Sequence, residues 1–300
     1  MSAANPLPDV LDTTEAERLA TGFIFTEGPL WHPEGFWYFV DIRQNRLYSL
    51  TPGQAPEVVR DTAGGNGTTF DLQGHLILCE GDGRRVVRIR QDGRAEPIAE
   101  RYQGGRLNRP NDIVCRSDGS LFFTDPDKRV PYNRREIPGP AGIDNLWDGA
   151  CVYRIAPDGR ISVVAHCEYP NGLAFSPDEK TLYVANTRST RYIHAIAVGA
   201  NGNMTGRRIF ADMSEGSLPG APDGLKVDAQ GRVYCTGPGG IWVFTPDGKR
   251  IGIISFPEQA VNFAFGGADL CTLFCCAHTS VYTVRVKVPG NPHPWDKTLA

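Results

Sequence analysis

Six times along this chain an acidic or amide residue stands one short apolar strand upstream of a turn. The segments are Glu27-Gly-Pro-Leu-Trp, Asn66-Gly-Thr-Thr-Phe, Asn111-Asp-Ile-Val-Cys, Asn171-Gly-Leu-Ala-Phe, Asp223-Gly-Leu-Lys-Val and Asn262-Phe-Ala-Phe-Gly. A turn glycine follows four of these oxygens at a fixed distance, at Gly35, Gly74, Gly119 and Gly231. The fourth and sixth repeats turn instead at Ser176-Pro177-Asp178 and Gly266-Gly267-Ala268-Asp269. The unit recurs every 40–60 residues or so, and a period of roughly 40–50 residues with several strands inside it marks a propeller or a similar array. If each segment is the innermost strand of one blade, six oxygen-bearing side chains ring a central channel. Such a ring is a place to hold a hard metal ion.

The rest of each repeat fits that frame. Second strands are read at Trp37-Tyr-Phe-Val, Leu76-Ile-Leu-Cys, Leu121-Phe-Phe-Thr, Leu182-Tyr-Val-Ala, Val233-Tyr-Cys-Thr and Leu273-Phe-Cys-Cys. Third strands follow, and run into turns such as Asp92-Gly93, Asp158-Gly159, Asn201-Gly202 and Asp247-Gly248. β-branched and aromatic residues dominate these runs, which lack a helical period. A fourth, outer strand is visible in five repeats but not in the sixth. A closed ring requires that edge to be covered, and the segment from Arg18 to Phe25 is available to cover it. The expectation is an all-β, six-bladed propeller of four-stranded blades closed by an N-terminal strand, with 1–300 forming one domain. The blades start near 27, 66, 111, 171, 223 and 262. One connection, 125–149, is too long for a hairpin and is a candidate lid over the pocket.

A formal net charge of −3 gives no general attraction to nucleic acid or to an anionic membrane. No apolar run reaches the length of a membrane span. Residues 1–20 lack the basic start and apolar core of a signal peptide. The 8 cysteines contain no C-x-x-C pair and read as reduced, mostly buried thiols of a cytoplasmic protein. The expected partner is a small molecule, and oligomeric state is not legible.

Asn-Gly and Asp-Gly taken singly are turn dipeptides. The set argues for more, because Glu27 is poor turn material and each oxygen precedes an apolar strand. Carboxylates gathered in a channel would repel one another and lose hydration. A cation relieves both costs. Two carboxylates and several carboxamides, with no evident Cys or His partner, point to one divalent ion, Ca2+ foremost, with Zn2+, Mn2+, Mg2+ or Fe2+ as alternatives. A water-filled polar channel is the other reading of the same ring. There is no G-x-S-x-G elbow and no H-E-x-x-H.

The segments Thr26-Glu-Gly-Pro-Leu-Trp, Arg109-Pro-Asn-Asp, Pro170-Asn-Gly-Leu-Ala-Phe-Ser-Pro-Asp and Pro222-Asp-Gly-Leu resemble those of the gluconolactonase family, which includes regucalcin. The resemblance runs from Ala20 to about Gly290. It implies that Glu27, Asn171 and Asp223 bind the metal, with Asn111 a further ligand or a substrate contact. Arg109 would hydrogen-bond substrate oxygens, and Asp223 would double as general base. Asn66 and Asn262 match the ring by spacing but are not assigned as ligands. Where bacterial relatives are expected to carry a histidine, this chain reads Cys79-Glu80-Gly81-Asp82. The implied activity is metal-dependent opening of a sugar lactone, by water attack on a polarised carbonyl with Asp223 or a metal-activated hydroxide as base. Two alternatives stand beside it: hydrolysis of an aryl ester or organophosphate, and a non-enzymatic calcium-binding scaffold.

Overall fold

The computed structural model describes residues 7–90, 92–126, 150–188 and 190–296. Six four-stranded antiparallel sheets are arranged as a six-bladed β-propeller. The innermost strands are Thr26–His32, Gly65–Phe70, Ile113–Cys115, Pro170–Phe175, Leu225–Val227 and Asn262–Gly266, in the order read from the repeats. The sixth blade takes its outer strand from the other end of the chain, where Glu17–Thr21 pairs antiparallel with Ser280–Arg285. That strand is shorter than the Arg18–Phe25 segment expected for the role. Gly22 has a φ of +100°, and the chain turns there towards the first inner strand. A small hairpin, Arg101–Tyr102 with Gly105–Arg106, lies between blades two and three and has no counterpart in the repeat pattern. The candidate lid 125–149 lies outside the described residues beyond Pro126. Among the described residues there is no helix, and so none long and apolar enough to cross a membrane.

The second strands read as nearly continuous apolar runs because both faces of each blade are covered. Successive side chains of a strand point to opposite faces. In Phe36–Asp41, Trp37 and Phe39 pack against blade six, while Tyr38 and Val40 pack against blade two. Six apolar clusters result, one between each pair of neighbouring blades. At the join between the first and last blades, the Trp37 and Phe274 rings stack with centroids 4.6 Å apart. All 8 cysteines are free thiols, and only Cys271 is not buried.

The two mouths of the channel differ. At one, the segment 291–296 folds across the opening: the Trp295 ring lies 4.8 Å from that of Phe70, and His293 Nε2 lies 3.1 Å from Thr69 Oγ1. Behind it is a largely apolar cavity of about 160 Å³. The other mouth holds the oxygen ring.

Candidate active site

Three of the ring residues, Glu27, Asn66 and Asn171, stand where their inner strands bulge. Strand register shifts between Glu27 and Leu30, between Gly65 and Thr68, and between Pro170 and Leu173. A bulge bends its strand and re-aims a side chain. The glycines that follow the oxygens serve this geometry and the crowding at the axis. A Cβ on Gly28 would collide with the Asn66 carbonyl, one on Gly172 with the Asp223 carbonyl, and one on Gly224 with the Asn262 side chain. Gly172 N–H donates to the Asp223 carbonyl at 2.9 Å and Gly67 N–H to that of Asn111 at 2.7 Å, which ties the fourth blade to the fifth and the second to the third at the axis. Glu27-Gly28, Asn66-Gly67 and Asn171-Gly172 therefore lie at strand bulges and are not the turns that their composition suggests.

Glu27, Asn66, Arg109, Asn111, Asn171 and Asp223 line one cavity of about 240 Å³, together with Phe25, Arg43, Tyr169, Thr187 and Arg188. That is the volume of roughly eight water molecules. Asn262, the sixth ring position, lies behind Glu27: its Nδ2 donates to Glu27 Oε2 at 2.7 Å, and its Oδ1 accepts the Phe263 N–H. Gly28 N–H also donates to Glu27 Oε2 at 2.7 Å. Asn171 is oriented in a similar way, with Nδ2 donating to Thr187 Oγ1 at 2.9 Å, which in turn donates to the Pro222 carbonyl at 2.6 Å.

Two acceptors are left over. The Oδ1 atoms of Asn66 and Asn171 are buried and accept no hydrogen bond, a costly state for a polar atom unless something positive meets it. The carboxyls register the same deficit. Burial, with Asp112 nearby, raises the Glu27 pKa to about 7. Burial beside Glu27 and Asp112 lifts Asp223 well above the usual carboxylate range. Among the described residues no three His, Cys, Asp or Glu side chains are placed to hold a metal ion by themselves. The donor set is thus carboxamide-rich and all oxygen, which suits a hard divalent cation.

Arg109 reaches the cavity from a loop held by Asp125, whose carboxylate accepts the N–H groups of Asn108 at 2.8 Å and Arg109 at 2.6 Å. Its guanidinium pairs with Asp82 at 2.6 Å. Gly81 makes room for the Arg109 side chain, since a Cβ there would stand 2.8 Å from Arg109 Cγ. The Gly81-Asp82 departure in the second repeat thus bears on the arginine. On the opposite wall Arg188 lies over the Tyr169 ring, 4.3 Å from its centroid.

The sequence profile of the SMP-30/Gluconolactonase/LRE-like region matches residues 25–279. The chain belongs to that family. Within the SMP-30/gluconolactonase family, a gluconolactonase of Zymomonas mobilis is 31% identical, over 95% of this chain and 85% of its own. The pentonolactonase XacC of Haloferax volcanii is 30% identical, over 83% of this chain and 79% of its own. A solved gluconolactonase of Xanthomonas campestris is 32% identical with a TM-score of 0.81, covering 95% of this chain and 93% of its own.

Several residues of the site are not legible from the repeats. Arg43, Tyr169, Thr187 and Arg188 line the cavity but were not read from the repeats, although Tyr169 stands two residues before Asn171 as Arg109 does before Asn111. A second set carried a signal. Asp41, Glu80, Asp125 and Asn186 each end a second strand and accept backbone N–H groups of the loop that feeds the ring. The recurrent pattern of an apolar strand closing on an acidic or amide residue marks them.

Proposed function

We propose that this family member is a divalent-metal-dependent hydrolase of sugar lactones. The observation that carries the reading is the meeting, in one cavity, of two unpartnered carboxamide oxygens with two carboxyls whose proton affinity is raised. Glu27, Asn171 and Asp223 would hold the ion, with Asn111 as a further ligand or substrate contact, and Asn66 Oδ1 stands as an additional donor. Ca2+ suits the oxygen set best. Such an ion, when bound, supplies Lewis-acid polarisation of a carbonyl and keeps adjacent carboxylates ionised.

The chain's own groups supply the rest. Asp223 takes the proton of the attacking water at a carboxylate oxygen. Arg109, fixed by Asp82, offers guanidinium N–H donors to the lactone's oxygens. Asn262 and Thr187 hold Glu27 and Asn171 in place. The described walls carry Arg43, Arg109, Arg188, Thr187 and the asparagines, with Phe25, Ile42 and Tyr169 as the apolar share. Such walls suit a polyhydroxylated lactone better than an aryl ester. The free thiols support a reducing, cytoplasmic setting.

The test is hydrolysis of glucono-1,5-lactone, followed by proton release, on chelator-stripped protein and after adding back single ions. Loss on stripping and recovery with one ion supports the reading and names the cofactor. Ion binding without turnover moves the substrate to another lactone or ester. Absence of ion binding leaves the scaffold. Asp223→Asn should lower kcat by about 10²–10⁴.

A further inference from the structure

Beneath the ring lies a charged pair that none of these roles uses. In four blades the residue after the ring oxygen is glycine; in the third blade it is Asp112. Asp112 is 3% exposed. Its Oδ1 accepts the Ile113 N–H at 2.9 Å, while Oδ2 accepts no hydrogen bond. The cation beside it is Lys226, whose Nζ lies 3.6 Å from Asp112 Oδ2 and donates to the Leu225 carbonyl at 3.0 Å. Lys226 also forms part of the wall of the opposite, apolar cavity. The pair therefore stands in the channel between the two mouths.

The pair sits against the ring: Asp112 follows Asn111 directly, its Oδ1 would stand 2.6 Å from a Cβ on Gly67, and Lys226 lies three residues after Asp223. With Glu27 and Asp223 ionised, as a bound cation would keep them, these two and Asp112 bring three negative charges together, and Lys226 offsets one. The remainder matches a single divalent ion.

We propose that Lys226 and Asp112 are positioning residues that set the net charge of the ring, Lys226 cancelling Asp112 so that the site selects a divalent over a trivalent cation. This rests on the reading of the ring as a metal site. Without Lys226 the site carries one more negative charge and gains for a trivalent ion; without Asp112 the ammonium stands unopposed below the ring and repels any cation. Charges a few ångströms apart at an effective dielectric near 20 interact strongly enough for effects of about tenfold or more.

The test measures Ca2+ and Tb3+ affinities by calorimetry and terbium luminescence on the full chain. In Lys226→Met the ratio of Tb3+ to Ca2+ affinity should rise about tenfold. In Asp112→Asn the Ca2+ affinity should fall about tenfold. The double variant should return to the wild-type ratio, and Lys226→Arg should keep it. Single variants that leave both affinities unchanged, or a double variant that recovers nothing, would overturn the proposal while leaving the metal site intact. Wild-type protein that binds neither ion removes the metal site and the proposal together. Should Lys226→Met fail to fold, folding of the double variant supports the charge balance, and failure of both refutes it.

Discussion

Asn262 donates its amide to Glu27 Oε2 at 2.7 Å across 235 residues of chain, joining the last blade to the first inside the candidate site. The Phe263 N–H holds Asn262 Oδ1 at 2.8 Å, which fixes which end of the amide faces the carboxylate. The ring's closure and Glu27's direction are thus one contact. Residues that orient a ligand typically matter about 10–100-fold in metal affinity. Asn262→Ala should weaken ion binding by that factor, and titration calorimetry reads it. Unchanged affinity would remove Asn262 from the site.

The Arg109–Asp82 pair bears on substrate and not on stability. Asp82 is 53% exposed, and exposed pairs contribute little to folding. Asp82→Ala should leave the melting temperature unchanged while raising KM for the lactone several-fold. Gly81→Ala, which crowds Arg109 Cγ, should do the same with kcat nearly intact. An unaltered KM in both variants would show that Arg109 does not depend on this support.

Gly172 is expected to be intolerant. A methyl there meets the Asp223 carbonyl and the Leu225 backbone N–H, neither of which can move without shifting the ring. Gly172→Ala should cost about 3 kcal/mol, at the upper end of overpacking penalties. Gly159→Ala, at a surface turn with open space around it but φ of +83°, should cost less. Chemical denaturation compares the two.

Acid should loosen the segment that crosses the opposite mouth. His293 Nδ1 accepts the Trp295 N–H at 3.1 Å, so the neutral ring presents its Nε2 proton to Thr69 Oγ1. Burial lowers its pKa to about 4, against opposing pulls from Asp296 and Asp71. A histidine held neutral stabilises the fold fully above its ordinary pKa of 6.5, and that stability is lost as pH falls towards 4. The loss amounts to up to about 3 kcal/mol, less for the part of the ring that meets solvent. Melting temperature between pH 7 and 4 should therefore fall less steeply in His293→Gln than in the wild type. Equal slopes would exclude the histidine as the cause.

The blades could be read from the sequence because strand, turn and oxygen recur together. So could the convergence of Glu27, Asn111, Asn171 and Asp223 on one cavity. What the X-Gly pairs do could not. Asn171-Gly172 has the composition of a turn, and only the inter-blade packing shows that glycine is needed because the next strand passes through its missing side chain. The inward aim of Glu27, Asn66 and Asn171 was hidden for a related reason. A bulge decides which way a side chain leaves the inner strand, and composition does not mark where a bulge falls. Asp82 stood out as a departure, but its partner Arg109 lies in the next repeat, beyond the reach of local pattern.

The sixth blade is built from both ends of the chain, and this gives the site a place in the timetable of synthesis. Glu27 leaves the ribosome well before Asn262. At 5–20 residues per second, the interval is on the order of ten to fifty seconds. Through that time the carboxylate has no amide to aim it, and the ring has no sixth wall. A nascent chain therefore offers a passing cation only scattered oxygens. The site comes into being after the strand Ser280–Arg285 has emerged and Glu17–Thr21 has paired with it.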